Sequence, residues 1–501
     1  MYLISLFSGI YFCSVYSYLF FRRLDLNEFF VTLFVITSPI PLLAYSNSFL
    51  VKYYLYFLFI FSIFYQIYLF LKSLFNGKIK LKKLLKINKF DFIYRIKEYL
   101  IINKFIIFFT LLITFYISYK ILPFQWRFES HDLLYFSWVN DIFDISYKGP
   151  LRLSIAYPNE LSAMNLQAGS YLTPFLIFAK NNIFFTYTTK FFLLIVSQFY
   201  LIYILLKKIF SNYCSRWQHI LFSIPFVGIL FFLTFYSFEI NYSQSISNYG
   251  LLIYILNLAS LCIRFSSTKK ETDQIYFISQ LILNIICLTS FKATTFPTFI
   301  FSFIVFSFIL NNQTLRNLIY KSIRNNYFLI FSLPFISLLG WLSQKSNHGY
   351  ISSIFPICLK DDIALCTYSF FRNPFQGWWP QEDLRFYLLR NNLTDSIIGI
   401  YEYIYIWFIV IVPSLIFSYY LIKKTNNLGF KIFGYFNISY VFSAIFSILF
   451  IRESLSFRGI HVSHSYLIIP FFTIASYCLI LVTKDLEVIK NIKIKLLILL
   501  L

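Results

Sequence analysis

Two carboxyl groups flank a histidine in the segment Glu129-Ser-His131-Asp132, which directly follows an apolar stretch of membrane-spanning length. A carboxylate at a membrane interface is partly desolvated, which makes it a stronger base. Such a base can take a proton from a sugar hydroxyl, and this is the work of a general base. The alternative is that Glu129 and Asp132 only cap a following helix, because acids near a helix N-terminus favour its dipole.

Four basic residues lie where they can hold an anionic group. Lys292 lies in a turn between two apolar stretches, where a lysine is costly unless it is paired or solvated. Arg372, Arg452 and Arg458 lie in two polar loops, and arginine binds phosphate through a bidentate fork. The alternative for each is a snorkelling side chain or an ion pair, such as that of Arg452 with its neighbour Glu453.

Histidine and cysteine spacing suggests two further sites. His461 and His464 have helical spacing, so that both imidazoles share a face and could bind a divalent metal ion with Glu129 or Asp132. Two histidines near an interface can instead serve as hydrogen-bonding residues. Cys358 and Cys366 share a polar loop, and an oxidising compartment would join them in a disulfide. No phosphate-binding loop, nucleophile elbow, dinucleotide fingerprint or zinc-protease motif is present in the sequence.

The composition of the chain that contains these residues is typical of a protein embedded in a lipid bilayer. Of 501 residues 59% are hydrophobic and 13% are charged, and the mean hydropathy is +0.69. A soluble domain carries charge on about a quarter of its positions, so this chain has too little polar surface for water. Apolar runs of about 17–25 residues predict about thirteen transmembrane helices. They cover residues 1–20, 29–48, 52–71, 105–122, 184–206, 218–238, 247–263, 274–291, 293–310, 327–343, 397–421, 432–450 and 465–482.

The net charge of +22 lies almost entirely on one side of these spans. One set of alternating loops holds 28 Lys and Arg and 8 Asp and Glu, and the other holds 15 and 13. The positive-inside rule makes the first set cytoplasmic, which puts the N-terminus outside and the C-terminus inside a bacterial cytoplasmic (inner) membrane. The basic block from Lys78 to Lys89 is then a topological anchor or an amphipathic helix on anionic lipid. The pattern implies no nucleic-acid site.

Three long loops face the outer compartment, at residues 123–180, 344–396 and 452–465. The first continues after Asp132 into Leu133–Tyr147, which we expect to lie along the membrane as an interfacial helix. Residues Tyr171–Ala179 are too short to cross and predict a second interfacial segment. Polar chemistry is therefore gathered on one face of the membrane.

This arrangement resembles the GT-C superfamily of membrane glycosyltransferases, which transfer sugars from polyprenyl-phosphate carriers outside the cytoplasmic membrane. The matching features are Glu129 and Asp132 with His131 between them, the horizontal stretch after them, and the large late loop 344–396. The resemblance covers residues 105–482 and implies a GT-C-like core over 105–501. Residues 1–104 would then add three N-terminal transmembrane helices and a basic cytoplasmic loop.

The resemblance implies a glycosyltransferase that modifies a cell-surface glycan or lipid, in polysaccharide or lipopolysaccharide biosynthesis. Asp132 and Glu129 would be catalytic, while His131 and the four basic residues would bind the lipid-linked sugar. Two alternatives remain open. One is an O-antigen polymerase or ligase that uses the arginines of loop 344–396. The other is a transporter or flippase, which would need charges at mid-membrane and broken helices in related halves.

Overall fold

The computed structural model describes residues 2–75, 108–116, 170–178, 183–209, 223–228, 245–291, 313–347 and 412–450, apart from 22, 24, 47, 109, 425 and 426. Within these ranges all regular structure is helical and no strand is found. The predicted all-α class is therefore confirmed for the described part of the chain. The helices are α1 (Tyr2–Phe21), α2 (Leu26–Thr37), α3 (Ile40–Ser46), α4 (Ser48–Phe75), α5 (Ile183–Ile209), α6 (Ser245–Ser266), α7 (Glu271–Phe291), α8 (Gln313–Asn347), α9 (Val412–Lys424) and α10 (Leu428–Phe450), with a short 3-10 helix at Thr173–Phe175.

Four stretches of the described residues are long and apolar enough to cross a membrane. They are Tyr2–Phe21, Leu26–Ala44, Phe49–Leu69 and Thr188–Lys208, and they coincide with four of the predicted spans. A shorter apolar helix, Leu252–Ser266, overlaps the predicted span 247–263. Length and composition therefore indicate a membrane protein that crosses the bilayer several times.

Helix α2 is the central element of the bundle. Asp25 caps it, with the side chain accepting the Leu26 N–H at 2.7 Å, as short acids do at helix N-termini. The prolines of the Ser38-Pro39-Ile40-Pro41 segment lack backbone N–H groups, so the chain turns there before α3 begins. Eleven of the twelve α2 residues are buried, and α1, α6 and α7 pack around it. A helix that is covered on all sides belongs to the interior of a large bundle.

The opposite pattern marks α4, which is the most exposed of the long apolar helices. Phe57 and Phe64 are 64% and 65% exposed, and only 22% of the span Phe49–Leu69 is buried. The second half of α8 shows the same feature, with Phe328, Phe331 and Phe335 more than half exposed. Because such surfaces are unfavourable in water, we assign these two faces to contact with lipid.

Helix α8 has two unlike halves that meet at Asn326, where the backbone leaves helical geometry at φ −128° and ψ 25°. The first half carries Arg316, Lys321 and Arg324, and the second half is apolar and contains the predicted span 327–343. Asn326 Nδ2 donates to Ser279 Oγ of α7 at 2.9 Å, which fixes the kink against its neighbour. The predicted loop before this span is therefore helical from Gln313 onward.

Residues 170–178 enter the bundle rather than lying at its surface. Phe175 is fully buried between α1 and α2, with its ring centroid 6.3 Å from that of Phe29. The segment passes Gly9 so closely that a Cβ there would lie 2.7 Å from the Pro174 carbonyl oxygen. Its return is held by Ser5 Oγ, which accepts the Phe178 N–H at 3.0 Å. The expected short interfacial segment is thus packed into the bundle beside α1 and α2, where protein surrounds its irregular backbone.

Candidate functional site

The site residues predicted from the sequence all lie outside the described residues. This holds for the acid and histidine cluster, the four cations, the histidine pair and the cysteine pair. They are Glu129, His131, Asp132, Lys292, Cys358, Cys366, Arg372, Arg452, Arg458, His461 and His464. Their assigned roles therefore stay predictions. The structure describes residues on either side of some of the loops that contain them.

The described residues on either side of loop 123–180 lie near the same end of the bundle. Phe115 precedes the loop and meets the Tyr2 ring edge-on, with centroids 6.4 Å apart. After the loop, Phe185 stacks on the other side of Tyr2 at 4.6 Å, and the Tyr2 hydroxyl lies 3.3 Å from Thr189 Oγ1. We call this region the aromatic end and define it by Tyr2, Phe115 and Phe185.

The opposite region, which we call the basic end, is defined by Arg23, Lys208, Arg264, Lys321 and Asn427. These residues come from five loops that charge counting assigns to one side of the membrane. The structure brings the five loops together, as that assignment requires. The contacts are an ion pair of Arg23 with Asp273, donation from Lys208 Nζ to Ser266 Oγ, an ion pair of Lys321 with Glu271 (N–O 2.5 Å), and donation from Asn427 Nδ2 to the Ser266 carbonyl (2.8 Å).

Asp25 and Arg264 form the centre of a half-buried polar network at the basic end. Arg264 Nη1 lies 2.7 Å from Asp25 Oδ2 and also donates to Asn27 Oδ1 at 2.8 Å. The Tyr200 hydroxyl donates to the other carboxylate oxygen of Asp25. The guanidinium stacks over Phe277, with 4.8 Å from Cζ to the ring centroid. The network therefore ties α2, α5, α6 and α7 to one another through charge-assisted bonds.

Hydrogen bonds between asparagine side chains extend this network into the interior of the bundle. Asn27 Nδ2 donates to Asn257 Oδ1 at 2.7 Å, and Asn257 Nδ2 donates to Asn284 Oδ1 at 2.9 Å. Asn284 Nδ2 then donates to the Tyr254 carbonyl at 2.8 Å. All three asparagines are buried and come from α2, α6 and α7. Such side-chain bonds hold helices together where lipid supplies no hydrophobic driving force.

Glu28 lies in the first turn of α2 and is fully buried. The Tyr276 hydroxyl donates to its Oε1 at 2.5 Å, whereas Oε2 has no hydrogen-bond partner among the described residues. The Tyr276 ring also carries the Arg23 guanidinium at 4.1 Å from its centroid, while that arginine pairs with Asp273. The two arginines thus pair with Asp273 and Asp25, and neither forms an ion pair with Glu28.

The polar network around Asp25 and Arg264 was not predicted from the sequence. Asp25, Glu28 and Arg264 were counted only as loop charges when the sides of the membrane were assigned. The signal was nevertheless present, because Asn27 and Glu28 directly precede an unbroken apolar run, and Asn257 and Asn284 interrupt two others. An ionisable residue inside a span points to a functional or assembly role.

Among the described residues no group of three or more His, Cys, Asp or Glu side chains could hold a metal ion. The described cysteines Cys13, Cys262 and Cys287 are all buried. A buried cysteine packs as a small apolar residue.

Comparison of the chain with protein-family models, with curated proteins and with solved structures gives no match. The chain is therefore classified from its own residues: an all-helical protein in its described part, with several helices of membrane-spanning length.

Proposed function

We propose that this protein is a GT-C-like glycosyltransferase of the bacterial cytoplasmic membrane, with about thirteen transmembrane helices. It transfers a sugar from a polyprenyl-phosphate carrier to a cell-surface glycan or lipid on the outer face. The N-terminus lies outside and the C-terminus lies in the cytoplasm. A divalent metal ion held by His461 and His464 is an optional part of this proposal.

The observation that carries the proposal is the separation of the two ends of the bundle. Phe115 and Phe185 flank the loop that contains Glu129 and Asp132, and both contact Tyr2 at the aromatic end. Described residues of five of the loops rich in Lys and Arg meet at the basic end, which the positive-inside rule assigns to the cytoplasm. This arrangement supports an acid cluster that faces the outer compartment.

The reaction uses one base and several cations. Asp132 takes the proton of an acceptor hydroxyl while that oxygen bonds to the anomeric carbon of the donor. The bond between this carbon and the phosphate oxygen breaks, and the lipid phosphate leaves with the electron pair. Lys292 and Arg458 hold the phosphate, because cations stabilise the charge that develops on the leaving group. Glu129 shares the role of base or holds a cation.

Complementation of a deletion strain tests the catalytic assignment. Asp132→Asn keeps the shape of the side chain and removes its charge, so transfer should fall by about 10²–10⁴-fold at a normal protein level. Asp141→Asn removes an acid of the same loop outside the cluster and should complement fully. Lys292→Ala should weaken use of the donor instead, because a charge-assisted contact to the phosphate is lost.

The surface glycan on a gel is the measurement. Full complementation by Asp132→Asn, with an unchanged glycan, would show that the acids only cap a helix. If Arg372→Ala then shortened the glycan chains, the chain would be an O-antigen polymerase or ligase that works through loop 344–396.

A transporter or flippase is the second candidate, and one observation favours it. The span Leu26–Ala44 contains the buried acid Glu28 and is interrupted at Pro39, between α2 and α3. Buried acids and broken helices are features of ion-coupled transporters. A deletion strain that keeps its surface glycan but loses uptake of a solute would select this candidate.

A further inference from the structure

Four buried polar atoms on α2 and α7 have no hydrogen-bond partner among the described residues. They are Glu28 Oε2, Thr32 Oγ1, Gln280 Oε1 and Gln280 Nε2. The three residues are 0% exposed. An unpaired polar atom at such a position costs about 1–3 kcal/mol, more if it is charged, so three neighbouring residues of this kind call for a common explanation.

The spacing of these residues along the two helices predicts that their side chains lie in one region. Thr32 is four residues after Glu28, and Gln280 is four residues after Tyr276, so each pair shares a helix face. The bond from the Tyr276 hydroxyl to Glu28 fixes the register between the two helices. Both helices start at the basic end and run in the same direction, so one further turn raises Thr32 and Gln280 together by about 6 Å.

Gln280 is bracketed by satisfied contacts on its own face of α7. One turn before it, Tyr276 bonds Glu28, and one turn after it, Asn284 bonds Asn257 of α6. The Gln280 amide, which has the reach of a long side chain, makes no bond to Glu28 or Thr32. Helix spacing therefore places these three side chains on the facing sides of α2 and α7, and their buried polar atoms do not bond one another.

The charge of the surroundings indicates what occupies this site. The ionised groups around Glu28 are Asp25 and Arg264, which pair with each other at 2.7 Å, and Arg23, which pairs with Asp273. Neither arginine forms an ion pair with Glu28, so an ionised Glu28 would have no protein cation of its own among the described residues. A buried charge of this kind requires neutralisation, and a single positive charge suffices.

We propose that Glu28, Thr32 and Gln280 bind one monovalent alkali cation, with Na⁺ as the probe. The ligands are one carboxylate oxygen, one hydroxyl and one amide carbonyl, and hard cations prefer such oxygen donors. One net charge suits Na⁺ better than a divalent ion. A water molecule of its shell accepts the hydrogen bond of Gln280 Nε2. The inference is independent of the proposed transferase activity, because the site lies toward the basic end and shares no residue with the acid cluster.

Thermal unfolding of the full-length protein in detergent tests the proposal. The midpoint should rise by about 2–4 °C and saturate as NaCl replaces choline chloride at constant ionic strength, because a ligand of the folded state stabilises it. In Thr32→Val the half-saturating Na⁺ concentration should rise about tenfold, since one ligand is lost. In Glu28→Gln and in Gln280→Leu the response to Na⁺ should disappear.

Thr37→Val is the matched control on the same helix. Thr37 is also buried, but its hydroxyl already donates to the Leu33 carbonyl at 2.8 Å, so this variant should keep the wild-type response. If Glu28→Gln fails to fold, comparing the Na⁺ response of Thr32→Val with that of Thr37→Val still tests the proposal. A wild-type midpoint equal in NaCl and choline chloride overturns the proposal. An unfolding midpoint that changes with pH but not with Na⁺ would mean that a proton neutralises Glu28. That result also overturns the proposal.

Discussion

The two ends of the bundle are built from different interactions. At the aromatic end, Tyr2 packs between Phe115 and Phe185, and its main polar contact is a single hydroxyl pair with Thr189. At the basic end, ion pairs and hydrogen bonds of asparagine side chains connect the ends of α1, α2, α5, α6, α7 and α8. Ring packing tolerates small shifts of its members, whereas a buried ion pair requires fixed geometry. We therefore expect substitutions at the basic end to have larger and more specific effects.

The largest expected effect concerns which compartment each end faces. In a variant without native cysteines, Ser130→Cys should react fully with an impermeant thiol reagent on intact cells. Lys269→Cys, in the exposed turn at the basic end, should react only after the cells are opened, as should Leu84→Cys. Labelling of Leu84→Cys and protection of Ser130→Cys on intact cells would reverse the assigned sides.

Removal of the central arginine should give the largest loss of stability. Arg264→Met leaves Asp25 and Asn27 without their common donor, so the free energy of unfolding should fall by about 2–4 kcal/mol. Unfolding in mixed detergent micelles measures this loss. Asp25→Asn in the Arg264→Met background should recover part of it, because the unpaired charge is then removed. No recovery would mean that the pair does not act as a unit.

An added methyl group at Gly9 tests the packing between the two ends. A Cβ at Gly9 would lie 2.6 Å from Phe175 Cδ1 and 2.7 Å from the Pro174 carbonyl oxygen, so Gly9→Ala should lose about 1–3 kcal/mol. Gly228→Ala is the control, because among the described residues no atom lies within 4 Å of its added Cβ. It should be neutral or slightly stabilising. Equal effects of the two substitutions would contradict the close approach of residues 170–178 to α1.

The smallest effect is expected for Lys321→Met. Its ion pair with Glu271 is more than half exposed on both sides, with 52% and 60% side-chain exposure. Water and salt screen such a pair, so the free energy of unfolding should change by less than about 1 kcal/mol. A loss of unfolding free energy as large as that of Arg264→Met would show that burial does not determine how much an ion pair of this protein contributes to stability.

Hydropathy predicted the apolar helices well and their polar ends poorly. The spans 1–20, 52–71 and 184–206 match α1, α4 and α5 closely, because each is a long apolar run. Helix α2 begins at Leu26 rather than at residue 29, since Asp25 caps it and the Tyr276 hydroxyl donates to Glu28. That hydrogen bond joins residues 248 positions apart, and a local window contains no sign of it.

The segment 170–178 shows the same limit. Its length predicts that it is too short to cross the membrane, but its packing depends on Gly9, which is far away in the sequence. Site prediction rested on residue types in the loops, and those roles stay predictions. The buried network was accessible in principle, because polar residues inside apolar runs are visible in the sequence. Their partners were not visible, because pairing is a property of the assembled bundle.

The partners of α2 also set a schedule for biosynthesis. Asn27 bonds Asn257, which the ribosome adds 230 residues later. At about 5–20 residues per second, this delay amounts to about 10–50 s. During that interval Asn27 and Glu28 are in or near the insertion machinery without the groups that later satisfy them. The nascent chain therefore depends on the translocon, on lipid headgroups or on an insertion chaperone to shelter this helix until α6 and α7 emerge.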